Sequence, residues 1–180
     1  MYLNHDQILE ICEAGQMVDW DEKCVNAASL DVRLGHTVLM ERGSDHNRPL
    51  DYRKRERMAM VEVEVPDDGL IVHPGMFFLA HTIEQCNFAD DIAALFRIKS
   101  SMGRIGLEHM DAGWVDPGFH GSLTLEFCNM TQHHSIRLRV GDPIGQLVFL
   151  RGEKVSEDKS YRTRGNYNNH SGVAQIGYKG

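Results

Sequence analysis

The sequence predicts an all-β protein, a distorted barrel or double sheet that carries one short N-terminal helix. Three observations lead to this prediction. Alternating apolar and polar residues recur along most of the chain, turn residues separate nearly all of these segments, and helical periodicity is confined to the beginning. Many short strands with such punctuation are typical of barrels and double-sheet folds.

The helix is predicted in residues 3–17, LNHDQILEICEAGQM. Asn4 suits the position before the first turn, and Gln7, three residues later, completes a capping box. Gly15 suits the end of the helix. We expect this short amphipathic helix to pack against the β-rich remainder of the chain.

The strands begin at residue 29, where the period changes from helical to alternating. The segments are SLDVRLGHTVLME, MVEVEV, GLIVHPGMFFLAHTIE, IAALFRIK, GSLTLEF and SIRLRVGDPIGQLVFL. Turns are predicted between them at 66–69, 74–75, 117–118 and 141–143, where Pro and Gly cluster. The polar segment 41–57 has no periodicity, and we expect it to form a surface loop.

The length of 180 residues suits one compact core, so a single domain over 1–180 is predicted. Residues 156–180 are rich in Gly, Asn and Ser and offer little to bury. We expect them to form a mobile tail unless a ligand or a neighbouring subunit orders them.

Composition narrows the classes of function. The formal net charge of −7 argues against a protein that binds nucleic acid by neutralising phosphates. Four cysteines without a CxxC pair suggest reduced thiols instead of a disulfide framework or a zinc ribbon. With neither a signal-peptide pattern nor a membrane-spanning run, the chain is expected to be soluble, cytoplasmic and free of a membrane partner.

Two cations and two hydroxyls fall within six residues of the segment IKSSMGRIGL, residues 98–107. These side chains, Lys99, Ser100, Ser101 and Arg104, suit a cradle for a phosphate chain. Ser-Ser followed by Gly is also ordinary turn chemistry, and taken alone this segment favours the turn.

The segment AGWVDPGFHGSLTLEF, residues 112–127, joins a tight turn to a strand. Asp116 starts the turn, Pro117 fixes φ and Gly118 allows the reversal. Glu126 lies on the polar face of the following strand, opposite the apolar positions. From the pattern alone, a solvated strand carboxylate is the preferred interpretation. A third segment, VGDPIGQL (140–147), again combines Gly-dependent turns with a polar residue, Gln146.

The histidines do not predict a metal site. His109, His120, His133 and His134 have no HExxH spacing and form no Cys/His quartet in sequence. His73 and His81 lie within apolar strands, where a hydrogen-bonded core or rim position is expected. The nucleophile elbow GxSxG and the phosphate loop GxxxxGK[ST] do not occur in the sequence.

Taken together, the segments resemble the dCTP deaminase branch of the dUTPase superfamily. SLDVRLG (29–35), KSSMGRIGLEHMDAGWVDPGFHGSLTLEF (99–127) and GDPIGQLVF (141–149) are similar to successive blocks of that family, in the same order. The resemblance implies a β-clip, a distorted jelly-roll-like barrel, in a homotrimer with active sites at subunit interfaces. It further implies hydrolysis of the cytosine amino group of dCTP, which gives dUTP and ammonia.

The resemblance also assigns the site. Glu126, ten residues after Asp116, is the implied acid and base; Ser100, Arg104 and the carbonyl of Ala112 align the water. The remaining nucleotide-binding positions are Lys99, Ser101, Trp114, Val115, Asp116, Phe119, Gln146, Tyr161, Asn166 and His170. Mg²⁺ is implied only through the substrate's triphosphate and zinc is not, because the HxE and PCxxC signatures of zinc deaminases are missing from the sequence. dTTP is a candidate inhibitor.

The chain departs from the family pattern at three positions. Lys99 replaces an arginine, Asn166 a phosphate-binding lysine and His170 a glutamine. These departures leave open a dCMP or modified-cytosine substrate. The sequence is also compatible with a dUTP pyrophosphatase or a bifunctional enzyme that converts dCTP to dUMP, and with a nucleotide-binding trimer without catalysis.

Overall fold

The computed structural model describes residues 1–43 and 49–176 and is mostly β, which confirms the predicted fold class. Residues 44–48 of the predicted surface loop and 177–180 of the predicted tail lie outside the described residues. Of the helices in the described part, none has the length and apolar run that crossing a bilayer requires.

The N-terminal helix α1 spans His5–Ile11 and has the predicted capping box. The side chain of Asn4 accepts a hydrogen bond from the Gln7 amide at 3.1 Å, and the Gln7 side chain accepts one from the Asn4 amide, also at 3.1 Å. The helix widens into a π turn over Cys12–Gln16, where Gly15 has a φ of 78°. The predicted end of the helix is thereby confirmed.

Eleven strands follow in the described residues, and the predicted segments cover most of each longer strand, although Phe77–Asn87 and His120–Asn129 extend two or three residues beyond the predicted ends. Their bounds are β1 Met17–Val18, β2 Leu30–Glu41, β3 Met60–Glu64, β4 Leu70–Val72, β5 Phe77–Asn87, β6 Ile92–Ile98, β7 Leu107–His109, β8 Trp114–Val115, β9 His120–Asn129, β10 Ile136–Leu138 and β11 Pro143–Arg151. The remaining helical turns are Glu22–Cys24, Tyr52–Lys54, α2 Ser100–Arg104 and α3 Tyr161–Arg164.

The strands form one long curled sheet and a small second sheet. The long sheet runs in the order β7-β9-β5-β2-β11-β6-β8, with β1 beside β5 and β3 beside β2, while β10 pairs with β4. Five phenylalanines are fully buried in the core that this sheet encloses: Phe78, Phe88, Phe96, Phe127 and Phe149. Alternation along β9 places Leu123, Leu125 and Phe127 in that core, as predicted.

The segment between β2 and β3 is only partly a surface loop. Its helical turn Tyr52–Lys54 is exposed, as the charged sequence predicts. Met58 is half-buried and lines a pocket described below, together with Met60 at the start of β3.

The C-terminal segment 156–176 lies along β9, and the expectation that it has little to bury is wrong. Ser160, Asn168 and His170 are buried. Asn168 accepts a hydrogen bond from the His120 amide at 2.7 Å, and the His170 carbonyl accepts one from the Ser122 amide at 2.8 Å. These are polar contacts between distant parts of the chain, which an apolar pattern does not reveal. The mobility of the segment stays a prediction.

Candidate functional site

A pocket of about 480 Å³ opens over β9 and β5 and contains the carboxyl group of Glu126. Five parts of the chain build its walls: residues 58–60 at the start of β3, the start of β5, Phe96 in β6, the segment from Ala112 to Glu126, and the C-terminal segment. The pocket brings together many of the predicted site residues: Ala112, Trp114, Val115, Asp116, Phe119, Glu126, Tyr161 and His170. This volume is ordinary for a small-molecule site.

The Asp-Pro-Gly turn at the pocket rim has the predicted geometry. The Phe119 amide donates to the Asp116 carbonyl at 3.2 Å, and Gly118 has a φ of 81°. A side chain at 118 would collide with the side chains of Ser160 and Asp90. The indole N–H of Trp114 donates to the Asp116 carboxylate at 2.9 Å and fixes its orientation.

Glu126 is half-buried in the pocket, not solvated as its strand pattern alone favours. Its partner across β5 is Leu79, so an apolar side chain shares its face of the sheet. Burial raises the pKa of the Glu126 carboxyl above its ordinary value, and hydrogen bonding to its own backbone offsets only part of that effect. Oε2 is buried, and within the described residues it has no hydrogen-bond partner. Such an oxygen is available to a water or a ligand.

His109 faces this carboxyl, and sequence reasoning missed it. Its ring is buried edge-on against Phe96 and Phe127, with centroids 4.6 and 5.5 Å away. Nε2 lies 3.6 Å from Oε2 of Glu126, too far for a hydrogen bond, and has no partner in the described part of the chain. Burial lowers the pKa of His109 to about 4, so the ring is neutral at pH 7.

The signal for His109 was its alternation with Leu107, which spans only three residues and is too short to predict a buried strand. In the sequence this histidine was weighed only as a metal ligand. A neutral imidazole thus lies beside a carboxyl group of raised pKa, so the surroundings of Glu126 carry little charge.

The C-terminal segment closes one side of the pocket. His170 forms a parallel bridge with Gly121, whose φ of 122° suits glycine, and a Cβ at that position would collide with the His170 backbone. The Ala174 amide donates to the Thr124 hydroxyl at 2.9 Å, two residues before Glu126. Tyr161, in the same segment, packs against Phe119 with the ring centroids 5.6 Å apart.

The other predicted residues lie outside this pocket: Lys99, Ser100, Ser101, Arg104, Gln146 and Asn166. Ser100, Ser101 and Arg104 are exposed on α2, which packs against β7 and β11. Asn166 is exposed in the segment after α3. Within one chain the structure therefore does not bring Arg104 and Ser100 into the pocket that holds Glu126.

Lys99 and Gln146 each interact with a side chain from the segment 29–31. The Lys99 ammonium forms an ion pair with the Asp31 carboxylate, which also accepts a hydrogen bond from Asn26 at 2.9 Å. The Gln146 side chain accepts a hydrogen bond from the Ser29 hydroxyl at 3.3 Å. These residues and α2 form a second cluster, called here the phosphate-side cluster: Lys99, Ser100, Ser101, Arg104 and Gln146.

Metal ligands are not assembled in the part of the chain that the structure describes. Among residues 1–43 and 49–176, no group of three or more His, Cys, Asp or Glu side chains is placed to hold a metal ion.

Comparison with protein families identifies the class. Residues 2–152 match the model of the dCTP deaminase-like family. The solved structure of 2′-deoxycytidine 5′-triphosphate deaminase from Agrobacterium tumefaciens superposes with a TM-score of 0.68 at 24% identity, over 88% of this chain and 50% of that longer one. This likeness shows the fold, a distorted β-barrel.

Curated relatives give the same answer from sequence. A protein of Methanospirillum hungatei is 36% identical over 152 residues, which is 83% of this chain and 80% of the relative. One of Persephonella marina is 34% identical over 176 residues, or 96% and 94% of the two chains. Both are named "dCTP deaminase, dUMP-forming". The chain belongs to the dCTP deaminase-like family of enzymes, as its sequence motifs predicted.

Proposed function

We propose that this enzyme hydrolyses the 4-amino group of dCTP and releases the nucleotide as dUMP. The observation that carries the proposal is Glu126, a half-buried carboxyl group with a raised pKa and a buried, unpaired oxygen within the described residues, in a pocket that suits a nucleoside. The names of the relatives support both the substrate and the product.

Deamination needs a group that moves protons at the base. The Glu126 carboxylate takes a proton from water while the water oxygen bonds to C4 of cytosine. The same carboxyl gives this proton to the ring nitrogen and then carries the water's second proton from the new C4 hydroxyl to the departing amine. The C4–N4 bond breaks, the C4 carbonyl forms, and ammonia leaves. A carboxyl whose pKa is raised toward neutrality suits both directions of transfer.

The water-aligning residues require a second copy of the chain. Ser100 and Arg104 are exposed and outside the Glu126 pocket, so we propose a homotrimer in which α2 of a neighbouring subunit completes the site. Exposed apolar side chains near α2 support such an interface: Ile105 (49% exposed), Met110 (53%) and Met130 (63%). An arginine brought to the carboxyl would stabilise its ionised form and the charge that develops on the water.

The phosphate-side cluster of that neighbour would bind the triphosphate through Lys99, Ser101 and Gln146. The substrate would bring Mg²⁺ on its own phosphate oxygens, which needs no protein donor set. The Lys99 ammonium already forms an ion pair with Asp31, so we expect it to bind phosphate more weakly than an unpaired cation would. Inhibition by dTTP stays a prediction.

The product distinguishes the proposal from the dUTP-forming reaction predicted from the sequence. The relatives' common name favours the bifunctional reaction, in which a second water attacks phosphorus and pyrophosphate leaves. Asp116, held by Trp114 at the pocket rim, is the carboxylate we propose for activating that water.

The test is incubation of dCTP and Mg²⁺ with the wild type and with Glu126→Gln, with ammonia, pyrophosphate, dUTP and dUMP measured separately. The wild type should release ammonia and dUMP in step, and Glu126→Gln should release ammonia at least about 100-fold more slowly. Added dUTP should still yield dUMP with the variant, which shows that its site is folded.

Three results would overturn parts of this proposal. Equal ammonia release by the two proteins would reject Glu126 as the acid and base. Accumulation of dUTP would restore the dUTP-forming reaction. Tight dCTP binding without any product would favour a nucleotide-binding trimer that has lost catalysis.

A further inference from the structure

The walls on the two sides of Glu126 differ in chemistry. On one side, Gly113 to Val115 line the pocket, and β8 is the last strand of the sheet path, so its outer edge presents peptide groups. On the other side the wall consists of apolar side chains: Leu79, Phe77, Met58 and Met60.

Strand register places the apolar wall next to the carboxyl group. Leu79 is the direct cross-strand partner of Glu126, and directly opposed residues point to the same face of a sheet. Leu79 is 9% exposed, and Phe77 is the partner of Cys128, two residues further along β9. A substrate atom beside Glu126 therefore lies close to Leu79.

The chemistry of cytosine then sets its orientation. The edge with the amino group, N3 and O2 needs hydrogen-bond partners, which the peptide groups of the β8 side supply. C5 adjoins C4 on the side away from N3 and carries only hydrogen. When C4 is at Glu126 and the polar edge faces β8, C5 faces Leu79 and the apolar wall.

We propose that the site also accepts cytosine deoxynucleotides with an apolar substituent at C5, and deaminates 5-methyl-dCTP. This inference rests on the proposed function, because it uses Glu126 as the acid and base. Burial of a methyl group against Leu79, Phe77 and the two methionines is favourable, whereas an unpaired hydroxyl would be penalised there.

The reaction is the same hydrolysis with one extra methyl group. The water oxygen bonds to C4, the C4–N4 bond breaks, and ammonia leaves with protons that pass through Glu126. The product base is thymine, so 5-methyl-dCTP would give a thymidine nucleotide directly. Oxidation states are unchanged, and water is the sole co-reactant.

The experiment compares kcat/KM for dCTP, 5-methyl-dCTP and 5-hydroxymethyl-dCTP, using the full chain with Mg²⁺ and ammonia release as the readout. We expect 5-methyl-dCTP to retain at least one tenth of the value for dCTP, since a pocket that excludes a methyl group discriminates by about tenfold or more. The hydroxymethyl compound should be slower than the methyl compound.

A value below one tenth for 5-methyl-dCTP, with dCTP still consumed, would overturn this inference and leave the proposed function intact. Faster turnover of the hydroxymethyl compound would also overturn it, because the wall would then be polar. Failure to deaminate dCTP itself would reject the proposed function, and this inference would fall with it.

Two variants locate the effect. Leu79→Phe adds bulk where we place C5, so the ratio of the kcat/KM values for 5-methyl-dCTP and dCTP should fall about tenfold. Leu39→Phe makes the same change one strand further from Glu126, at a buried position that does not line the pocket, and should leave the ratio unchanged. If Leu79→Phe does not fold, Leu79→Ala is measured instead; it removes the side chain that we place against the methyl group, so the ratio should fall about fourfold, the scale of one buried methyl group. An unchanged ratio in the variant measured would contradict the placement of C5.

Discussion

The Glu126 pocket and the phosphate-side cluster differ in how complete one chain makes them. The pocket is assembled from five segments of the chain, and Glu126 at its centre is half-buried, with a neutral, buried histidine beside it. In the phosphate-side cluster, by contrast, one short helix carries the exposed side chains Ser100, Ser101 and Arg104. The cluster's lysine, Lys99, forms an ion pair with Asp31.

The contrast fits the homotrimer proposed above, in which each site would combine groups from two copies of the chain. Apolar walls and a desolvated carboxyl suit the base and the sugar, which a single chain can enclose. Exposed hydroxyls and cations suit phosphates, and in the proposed homotrimer they act at the nucleoside pocket of a neighbouring subunit.

The largest effect is expected from mixing two inactive variants. Glu126→Gln and Arg104→Ala should each lose deamination as separate proteins. Random reassembly of equal amounts should restore about a quarter of the wild-type rate, because a site then needs Glu126 from one subunit and Arg104 from its neighbour. Ammonia release after unfolding and refolding the mixture measures this. A mixture as inactive as its components would place both residues in one chain's site.

The second prediction concerns the uncharged state of His109 beside Glu126. The pKa of His109 is lowered from 6.5 to about 4 in the folded state, so the unfolded state binds more protons between these values and folding stability falls as the pH is lowered through that range. His109→Gln should remove on the order of 2 kcal/mol of this loss between pH 7 and pH 5. Urea unfolding at both pH values measures the difference. Equal losses in the two proteins would show that His109 is not desolvated.

The third prediction separates the two regions by substrate. Lys99→Ala should raise KM for dCTP about tenfold, the scale of one charge-assisted hydrogen bond, with little change for dCMP. Lys154→Ala, at an exposed lysine outside the pocket and the phosphate-side cluster, is the matched control and should change neither value. An equal rise in KM for dCMP would mean that Lys99 acts on the nucleoside, against the division proposed here.

The smallest effect is expected at Trp114. Trp114→Phe keeps an aromatic ring but removes the N–H that orients Asp116, so kcat/KM for dCTP should fall about threefold. Because Asp116 is proposed to activate the water that attacks phosphorus, deamination of dCMP, measured as ammonia release, should be affected much less. Trp20→Phe, at the other tryptophan, controls for the loss of an indole. Equal effects on both nucleotides would assign Trp114 another role.

Local features of the fold were predictable because neighbouring residues decide them. Asn4 and Gln7 form their capping box within one helical turn, and the turn at Asp116 needs only Pro117 and Gly118. Long strands follow from alternation that persists for several residues. Strands β1, β7 and β8, of two or three residues, are too short for a periodic signal.

Features that depend on distant contacts were not predictable from pattern. The half-burial of Glu126 arises from walls contributed by residues 58–60 and 161–176, which no local window contains. His109 gained significance only when β7 paired with β9 and brought its ring to that carboxyl. Asn168 and His170 pack through polar contacts with β9. The composition of their segment predicted only a mobile tail, because it does not reveal such contacts.

The edge strand β8 also bears on how this enzyme can change during evolution or in the laboratory. In the proposed base orientation, peptide groups of β8 recognise the polar edge of the base, and replacing side chains there leaves these groups in place, because every amino acid except proline presents the same N–H and C=O groups. New base preferences would then come from substitutions of Leu79 and its neighbours in the opposite wall, or from a change in length between α2 and the Asp-Pro-Gly turn that shifts the strand itself.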